Sequence, residues 1–423
     1  MLRFTSSPTS DMHIGNLRVA LFNFIVSKQR KEELIVRIED SDKEKNIEGK
    51  DQETLGILGL FGIQHSQTIY QSQNFRFHSA MVLQLLHEKK AFSCFCSPAW
   101  LDKKRQEAKD AKKAYRYDDA CANLPAELVI DNTNPFTIRI KRAEKEIIVK
   151  DLIKGDVAFK PEDMESFMIM NVDKTPTYNF ACAIDDMLSD ISLVICDEDN
   201  LDDTPKQVHI RESLSYDKKI EYAHIPNILN ADDFSVKWLL EEGYLPSAIS
   251  NCLISIGNNP PKEIFTVEEA IEWFNICEIS KSPARFDMDM LKHINKEHLK
   301  NLEAKELSRY VGFADEEIGE LAKVYLEEVG TTKELKSKIE PIFADKVIPQ
   351  EFEKQAEAMK NSVKNAPYFE EYNEFKEYIM KESGLKDENF SEVLRILLTG
   401  AKDGPDAAKI YKHLKNYLGE ILK

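Results

Sequence analysis

The sequence predicts an α/β fold: a parallel sheet built from βαβ units, an α/β insertion within it, and a mostly α-helical C-terminal region. Apolar residues surround most of the predicted helix 17–26, which is typical of a helix buried on a sheet. The run 34–36 is apolar and rich in β-branched residues, as expected of a parallel strand covered on both faces. From residue 288 onward the chain is polar and charged with helical periodicity, which indicates helices.

The first βαβ unit carries polar groups at both of its turns. A strand over residues 2–5 leads to a helix that starts near His13 and Gly15, and the next strand ends in Glu39, Asp40 and Asp42. Ligands of open parallel sheets bind beyond the carboxyl ends of the strands. Free N–H groups at the helix start suit a phosphate, and His13 can donate to a phosphate oxygen. The three acids can fix an amine, a ribose or a metal.

Length and composition restrict the class of protein. The chain has 423 residues, 7 cysteines and a formal net charge of −17. The length favours about three domains. We expect no membrane-spanning segment and no secretory signal, and we expect reduced cysteines and a cytoplasmic protein. The negative charge argues against indiscriminate nucleic-acid binding, although lysines and arginines clustered on one face can still bind nucleic acid.

Four segments together resemble one family. Ser-Pro-Thr-x-x-x-His-Ile-Gly-Asn occupies 7–16 and Arg-Ile-Glu-Asp-Ser-Asp occupies 37–42. Pro-Thr-Tyr with a later Asp-Asp pair spans 176–186, and Thr-Pro-Lys-Gln spans 204–207. A short His-x-Gly-Asn alone is more typical of a surface turn. The combination resembles class I aminoacyl-tRNA synthetases, specifically glutamyl-tRNA synthetases, and implies a Rossmann-like nucleotide-binding sheet.

The resemblance implies a reaction and its site. ATP and L-glutamate would form glutamyl-adenylate, and the terminal ribose of tRNA would then take the glutamyl group. Magnesium would screen the phosphates. The resemblance assigns glutamate to Arg3, Ser7, Glu39 and Tyr178, catalysis to His13, Gly15 and Asn16, and ATP binding to Pro8, Thr9, His13, Gly15, Asn16 and Asn200. It implies a monomer that charges the glutamate tRNA, with the glutamine isoacceptor as an alternative.

The resemblance also implies a domain organisation. Residues 1–71 and 180–230 would form the catalytic nucleotide-binding domain, and residues 72–179 would form an insertion that binds the acceptor arm of tRNA. Residues 231–287 would form a helical connector. Residues 288–423 would form a helical anticodon-binding domain.

Three cysteines in the insertion resemble a zinc knuckle of some family members. Cys94, Cys96 and Cys121 could supply three thiolate ligands, whereas zinc takes four. Asn123 stands near the place of a fourth ligand, and Tyr117 is a weak substitute. Three buried thiols without metal are the alternative, and we expect zinc to be absent or substoichiometric.

The chain departs from the family pattern at two places. Cys196 stands where the family has an arginine that binds a substrate carboxylate, and Asn200 stands where it has a histidine. A thiol cannot replace the guanidinium fork. Between Ala231 and Asp232, about eight residues of a lysine loop, Lys-Met-Ser-Lys-Arg in the family, are missing. Either the loop is deleted, or the sequence omits a mobile loop. A catalytically impaired paralogue that binds tRNA or a protein partner, and an enzyme for another amino acid or tRNA base, stay open as alternatives.

Overall fold

A computed structural model of the chain describes residues 1–385 and 389–422. Its strands are β1 Leu2–Ser6, β2 Leu34–Ile38, β3 Gln67–Tyr70, β4 Ala91–Cys94, β5 Thr137–Ile140, β6 Ile147–Asp151, β7 Gly155–Phe159, β8 Met168–Met170, β9 Leu193–Asp197 and β10 Glu221–Ile225. The first ten α-helices are α1 Ile14–Arg30, α2 Lys50–Leu60, α3 Phe75–His87, α4 Pro98–Asp110, α5 Ala126–Ile130, α6 Tyr178–Leu188, α7 Thr204–Ser213, α8 Val236–Glu241, α9 Pro246–Ser255 and α10 Val267–Trp273. The others are α11 Met288–Asn301, α12 Ala304–Tyr310, α13 Glu316–Tyr325, α14 Thr332–Phe343, α15 Glu353–Lys364, α16 Tyr372–Ser383, α17 Phe390–Thr399, α18 Ala407–Leu414 and α19 Leu418–Ile421.

A seven-stranded sheet organises the N-terminal half, in the order β3-β2-β1-β9-β10-β6-β7. All of its neighbours pair in parallel except β6 and β7, which form an antiparallel hairpin. From β1 the chain first builds outward to β2 and β3, and later returns to add β9 and β10 on the other side. The strand order therefore reverses between β1 and β9, which is where an open α/β sheet leaves a crevice for a ligand.

The predicted βαβ unit is present, and its helix is longer than predicted. Every residue of β2 is buried, as expected of a central parallel strand. Helix α1 is buried from Ile14 through Ser27 except for Asn16, and it covers one face of the sheet. Its core contacts hold the first turn of the helix rigidly beside the crevice.

The range 72–179 contributes to two sheets. Strands β4, β5 and β8 form a separate antiparallel sheet. Strands β6 and β7 lie in the same range of sequence, yet β6 pairs with β10 at the edge of the main sheet. The insertion is therefore α/β, as predicted, but part of it extends the nucleotide-binding sheet.

The chain divides into two compact units. The first contains residues 1–236, 253–261 and 267–286, and the second contains residues 237–252, 262–266 and those from 287 onward. Beyond β10 the described residues form helices and turns and no further strand, so the predicted helical C-terminal region is confirmed. Within the second unit, α12 and α13 meet closely: a Cβ on Gly319 would lie 1.8 Å from the Ala304 carbonyl oxygen. Among the described helices, none is both long and apolar enough to cross a bilayer.

Candidate active site

A cavity of about 260 Å³ opens at the carboxyl ends of β1 and β9, the point where the strand order reverses. Six of the residues predicted from sequence to bind substrate or ATP line it: Ser7, Thr9, His13, Asn16, Glu39 and Asn200. Arg3, Pro8, Gly15 and Tyr178 do not line it directly. Among the described residues, no lysine or arginine lines this cavity, whereas the acids Asp11, Glu39 and Asp197 do.

The N-terminus of α1 differs from the prediction of free N–H groups. His13 is the N-cap residue, and its Nδ1 accepts hydrogen bonds from Gly15 N at 3.1 Å and Asn16 N at 3.4 Å. Ile14 N donates to Phe234 O at 3.2 Å. The prediction was wrong because a ring nitrogen can take the capping role that serine or aspartate usually takes.

The capping contact also fixes the proton on His13. Because Nδ1 accepts, the neutral ring carries its proton on Nε2. Nε2 lies 3.9 Å from Asp232 Oδ1, on the short segment that follows β10. Burial lowers the pKa of His13, and Asp232 opposes that effect. In the neutral ring Nε2 is the nitrogen that can donate, for example to a phosphate oxygen.

Position 15 requires a glycine because the His13 ring lies close to it. A Cβ at this position would lie 2.9 Å from His13 Cε1 and Nδ1. Such a side chain would displace the ring from its capping position. Sequence reasoning attributed the glycine to close approach of a ligand, and the structure adds the approach of the His13 ring itself.

A buried charge cluster lies beneath the cavity. Asp186 Oδ1 accepts from Arg37 Nη1 at 2.6 Å and from Arg3 Nε at 3.2 Å, while Oδ2 accepts from Arg3 Nη2 at 3.4 Å. Arg37 Nη2 donates to Glu39 Oε1 at 3.5 Å. All four side chains are at most 9% exposed. Only two of the five N–H groups of Arg3 donate to Asp186.

Arg37 and Asp186 had no predicted role. Arg37 is an arginine in the middle of an apolar strand, and Asp186 is the second member of an Asp-Asp pair. Both signals are visible in the sequence, because a charged residue amid buried neighbours needs a partner. Burial raises the pKa of Asp186, but Arg3 and Arg37 outweigh it and lower that pKa to about 2.

The end of β9 brings the divergent residues into the cavity. Burial raises the pKa of Cys196 to about 12, so its thiol is neutral. Burial also raises the pKa of Asp197 to about 6. Asn200 Oδ1 accepts from Tyr178 Oη at 3.3 Å, so two residues predicted to contact different substrates touch each other.

The three acids that follow β2 have different surroundings. Glu39 lines the cavity and accepts from Cys182 Sγ at 3.3 Å. Asp40 is bound to Ser72, accepting from its N at 2.8 Å and from its Oγ at 2.6 Å. Asp42 pairs with Lys45 at 2.9 Å on the surface. Of these three acids, Glu39 is the one that lines the cavity.

The three cysteines of the insertion converge as predicted. The sulfur atoms of Cys94, Cys96 and Cys121 all lie within 4.8 Å of one another. The Tyr117 hydroxyl lies 3.4 Å from Cys94 Sγ and 3.5 Å from Cys96 Sγ. Burial and the hydrogen bonds with the thiols raise the pKa of Tyr117, so its oxygen is a protonated phenol and a weak substitute for the fourth ligand that zinc requires.

A parallel sheet with a ligand cavity at its reversal point, and with a histidine-capped helix beside it, defines a nucleotide-binding α/β protein. Residues 1–293 match the family model described as tRNA synthetases class I (E and Q), catalytic domain. The chain belongs to this family, and the resemblance seen in the sequence is confirmed.

Curated relatives match the chain over its full length. Glutamate–tRNA ligase 2 of Sulfurimonas denitrificans is 67% identical, and glutamate–tRNA ligase 1 of Nitratiruptor sp. is 50% identical, each covering 100% of both chains. Both alignments span 432 positions, nine more than the 423 residues here. At least nine positions of these alignments therefore have no counterpart in this chain.

A solved structure supports the fold. The crystal structure of a glutamate tRNA ligase from Elizabethkingia meningosepticum, in complex with its amino acid, has a TM-score of 0.81 to this chain. It is 23% identical, and the match covers 100% of this chain and 98% of that one. The predicted α/β fold with a helical C-terminal region is confirmed.

Proposed function

We propose that the chain ligates L-glutamate to tRNA through glutamyl-adenylate, in protein synthesis. The full-length identity to curated glutamate–tRNA ligases carries this proposal. The cavity at the strand reversal supports it, because six predicted substrate and ATP residues line that cavity. The same full-length similarity favours a ligase over a catalytically impaired paralogue.

Arg3, Glu39 and His13 each have a role in the first step, the formation of glutamyl-adenylate. Arg3 binds the substrate side-chain carboxylate through N–H groups that Asp186 leaves free, and Glu39 accepts from the amine. His13 donates from Nε2 to the α-phosphate oxygen that gains charge as the amino-acid carboxylate attacks and pyrophosphate leaves. Catalysis is mainly positioning and electrostatic stabilisation. Magnesium, when bound, screens the phosphate charges.

The triphosphate meets an unusually acidic cavity. Asp11 and Asp197 line it without a lysine or arginine, and Asp232 lies beside His13. Val236 N donates to Met12 O at 2.9 Å, just past the short segment 231–235 where the family has the lysine loop. The nine unmatched alignment positions agree with that loop in size, whether the loop is deleted or only omitted from the sequence. A chain that truly lacks the loop would form the adenylate slowly.

ATP–pyrophosphate exchange with glutamate tests the proposed function. Exchange that depends on glutamate, followed by charging of the glutamate tRNA, is the expected result. An amino-acid panel in the same assay addresses the alternative substrates. Tight tRNA binding without exchange for any amino acid would overturn the proposal and establish the impaired paralogue.

We also propose that zinc is absent or substoichiometric at the insertion. Cys94, Cys96 and Cys121 offer three thiol ligands, and the Tyr117 hydroxyl is a weak substitute for the fourth, because zinc takes cysteine, histidine or a carboxylate. A zinc ion there would cross-link β4 to the segment around residue 121, and it would take no part in the reaction.

Finer points of partner and organisation follow the family. We propose the domain boundaries given above, a monomer in the cytoplasm, and the glutamate tRNA as substrate with the glutamine tRNA as the alternative. Charging of both purified tRNAs decides the choice of isoacceptor, and light scattering decides the oligomeric state.

A further inference from the structure

A buried chain of hydrogen bonds connects the insertion to the cavity. It runs from Asp151 at the end of β6 to His224 on β10, and then to Thr204 at the start of α7. His224 Nδ1 lies 2.6 Å from Asp151 Oδ2, and His224 Nε2 lies 2.9 Å from Thr204 Oγ1. The side chains of Asp151 and His224 are 0% exposed, and Thr204 is 3% exposed.

Asp151, the first residue of the series, accepts hydrogen bonds on both carboxylate oxygens. Asp151 Oδ1 accepts from Ile153 N at 2.8 Å and Lys154 N at 2.7 Å, and Oδ2 also accepts from His224 N at 2.9 Å. Burial raises the pKa of Asp151, but the hydrogen bonds from His224 and the backbone lower it overall. An ionised Asp151 can only accept, so Nδ1 of His224 carries a proton.

Thr204 Oγ1 lies 3.1 Å from Asn200 O and 2.9 Å from His224 Nε2, and its one hydrogen can serve only one of these acceptors. If the hydrogen points to the Asn200 carbonyl, then Thr204 accepts from His224 Nε2. The ring would in that case carry protons on both nitrogens and form a buried ion pair with Asp151.

Asn200 is the cavity residue at the end of this series of hydrogen bonds. It lines the cavity, and its Oδ1 accepts from the Tyr178 hydroxyl. Its carbonyl also accepts from Asp203 N at 3.1 Å, which closes the turn between β9 and α7. Hydrogen bonds from Thr204 and Asp203 therefore hold the turn that carries Asn200, and this turn places Asn200 at the cavity.

We propose that Thr204 and His224 are positioning residues of the active site: a doubly protonated His224, paired with Asp151, directs the Thr204 hydroxyl onto the Asn200 carbonyl and so holds Asn200 and Tyr178 against the bound adenylate. The proposal rests on the proposed function for the identity of the ligand. The proton arrangement itself does not depend on it.

Two variants of Thr204 test the proposal. Thr204→Val keeps the shape and removes the hydroxyl, whereas Thr204→Ser keeps the hydroxyl. The ligand is a glutamyl-adenylate analogue in which a sulfamoyl group replaces the phosphate, and its affinity is measured by calorimetry. We expect Thr204→Val to bind it about tenfold more weakly and Thr204→Ser to bind within about twofold of the parent, as expected for one hydrogen bond.

Nitrogen NMR of histidine-labelled protein shows directly which ring nitrogens of His224 carry a proton. We expect both ring nitrogens of His224 to be protonated in the parent and in Thr204→Ser, and Nε2 to lose its proton in Thr204→Val. A parent ring without a proton on Nε2, or equal binding by Thr204→Val and the parent, would overturn the proposal. Absence of binding by the parent would instead refute the proposed function, and the ring spectrum alone would then decide the proton arrangement.

Discussion

Arg37 and Asp186 form the shortest contact of the buried charge cluster, with 2.6 Å between Arg37 Nη1 and Asp186 Oδ1. Asp186 also binds Arg3, so one carboxylate fixes two guanidinium groups beneath the cavity. A buried charge that loses its partner destabilises a protein strongly. The position of the Arg3 guanidinium therefore depends on Asp186.

Asp186→Asn is expected to lower the free energy of unfolding by about 3–5 kcal/mol, because it leaves Arg3 without a carboxylate and Arg37 with only the longer contact to Glu39 at 3.5 Å. The folded pKa of about 2 lies below the ordinary value of 3.8. Folding therefore favours the ionised Asp186 carboxylate. Its contribution to the free energy of unfolding is present above about pH 4 and is lost as the pH falls toward 2. Urea unfolding of the parent and the variant across this range measures it.

Asp190→Asn is the matched control for that measurement. Asp190 pairs with Lys218 on the surface, where both side chains are more than half exposed. An exposed pair contributes at most about 1 kcal/mol. A similar loss in both variants would contradict the central role of Asp186.

His13→Ala and His13→Asn are expected to separate capping from catalysis. Both remove the Nε2 donor, and both should lower the adenylation rate about 10–1,000-fold. Asparagine is a good N-cap, so only His13→Ala should also lose about 1 kcal/mol of stability. Pyrophosphate exchange and thermal unfolding measure the two effects. Full activity in His13→Asn would show that the cap alone matters.

Cys196→Arg is expected to tighten glutamate binding about 30-fold, since one charge-assisted contact contributes about 2 kcal/mol. The Michaelis constant for ATP should change little. Cys196→Ser is the control, because it leaves the position neutral and should leave glutamate affinity unchanged. An unchanged constant in Cys196→Arg would mean that another residue holds the carboxylate.

Purified protein is expected to contain less than one zinc ion per chain, which elemental analysis measures, because Cys94, Cys96 and Cys121 lack a usual fourth ligand. Cys277→Ser, at an exposed cysteine, is the control and should leave the zinc content unchanged. One zinc ion per chain that is lost in Cys94→Ala would contradict this expectation. A loss in Tyr117→Phe as well would then identify the hydroxyl as a ligand.

Local patterns predicted the elements and most of the residues around the cavity. The apolar run after residue 34 and the helix that follows His13 sufficed for the βαβ unit. Contacts between distant segments were not predictable in the same way: Asp151 meets His224 across 73 residues, and Arg3 meets Asp186 across 183. The pairing of β6 with β10 is equally non-local. The use of His13 Nδ1 as a cap depends on a rotamer, which no spacing of residues encodes.

The capping of α1 by its own histidine has a consequence for how the helix end acts on a nucleotide. Gly15 N and Asn16 N already donate to Nδ1 of the imidazole, so a phosphate oxygen would meet the Nε2–H group in their place. Because both backbone donors point at the ring, the positive end of the helix polarises the imidazole and strengthens its Nε2 donor. The helix would therefore act on the phosphate through this side chain rather than through its own backbone.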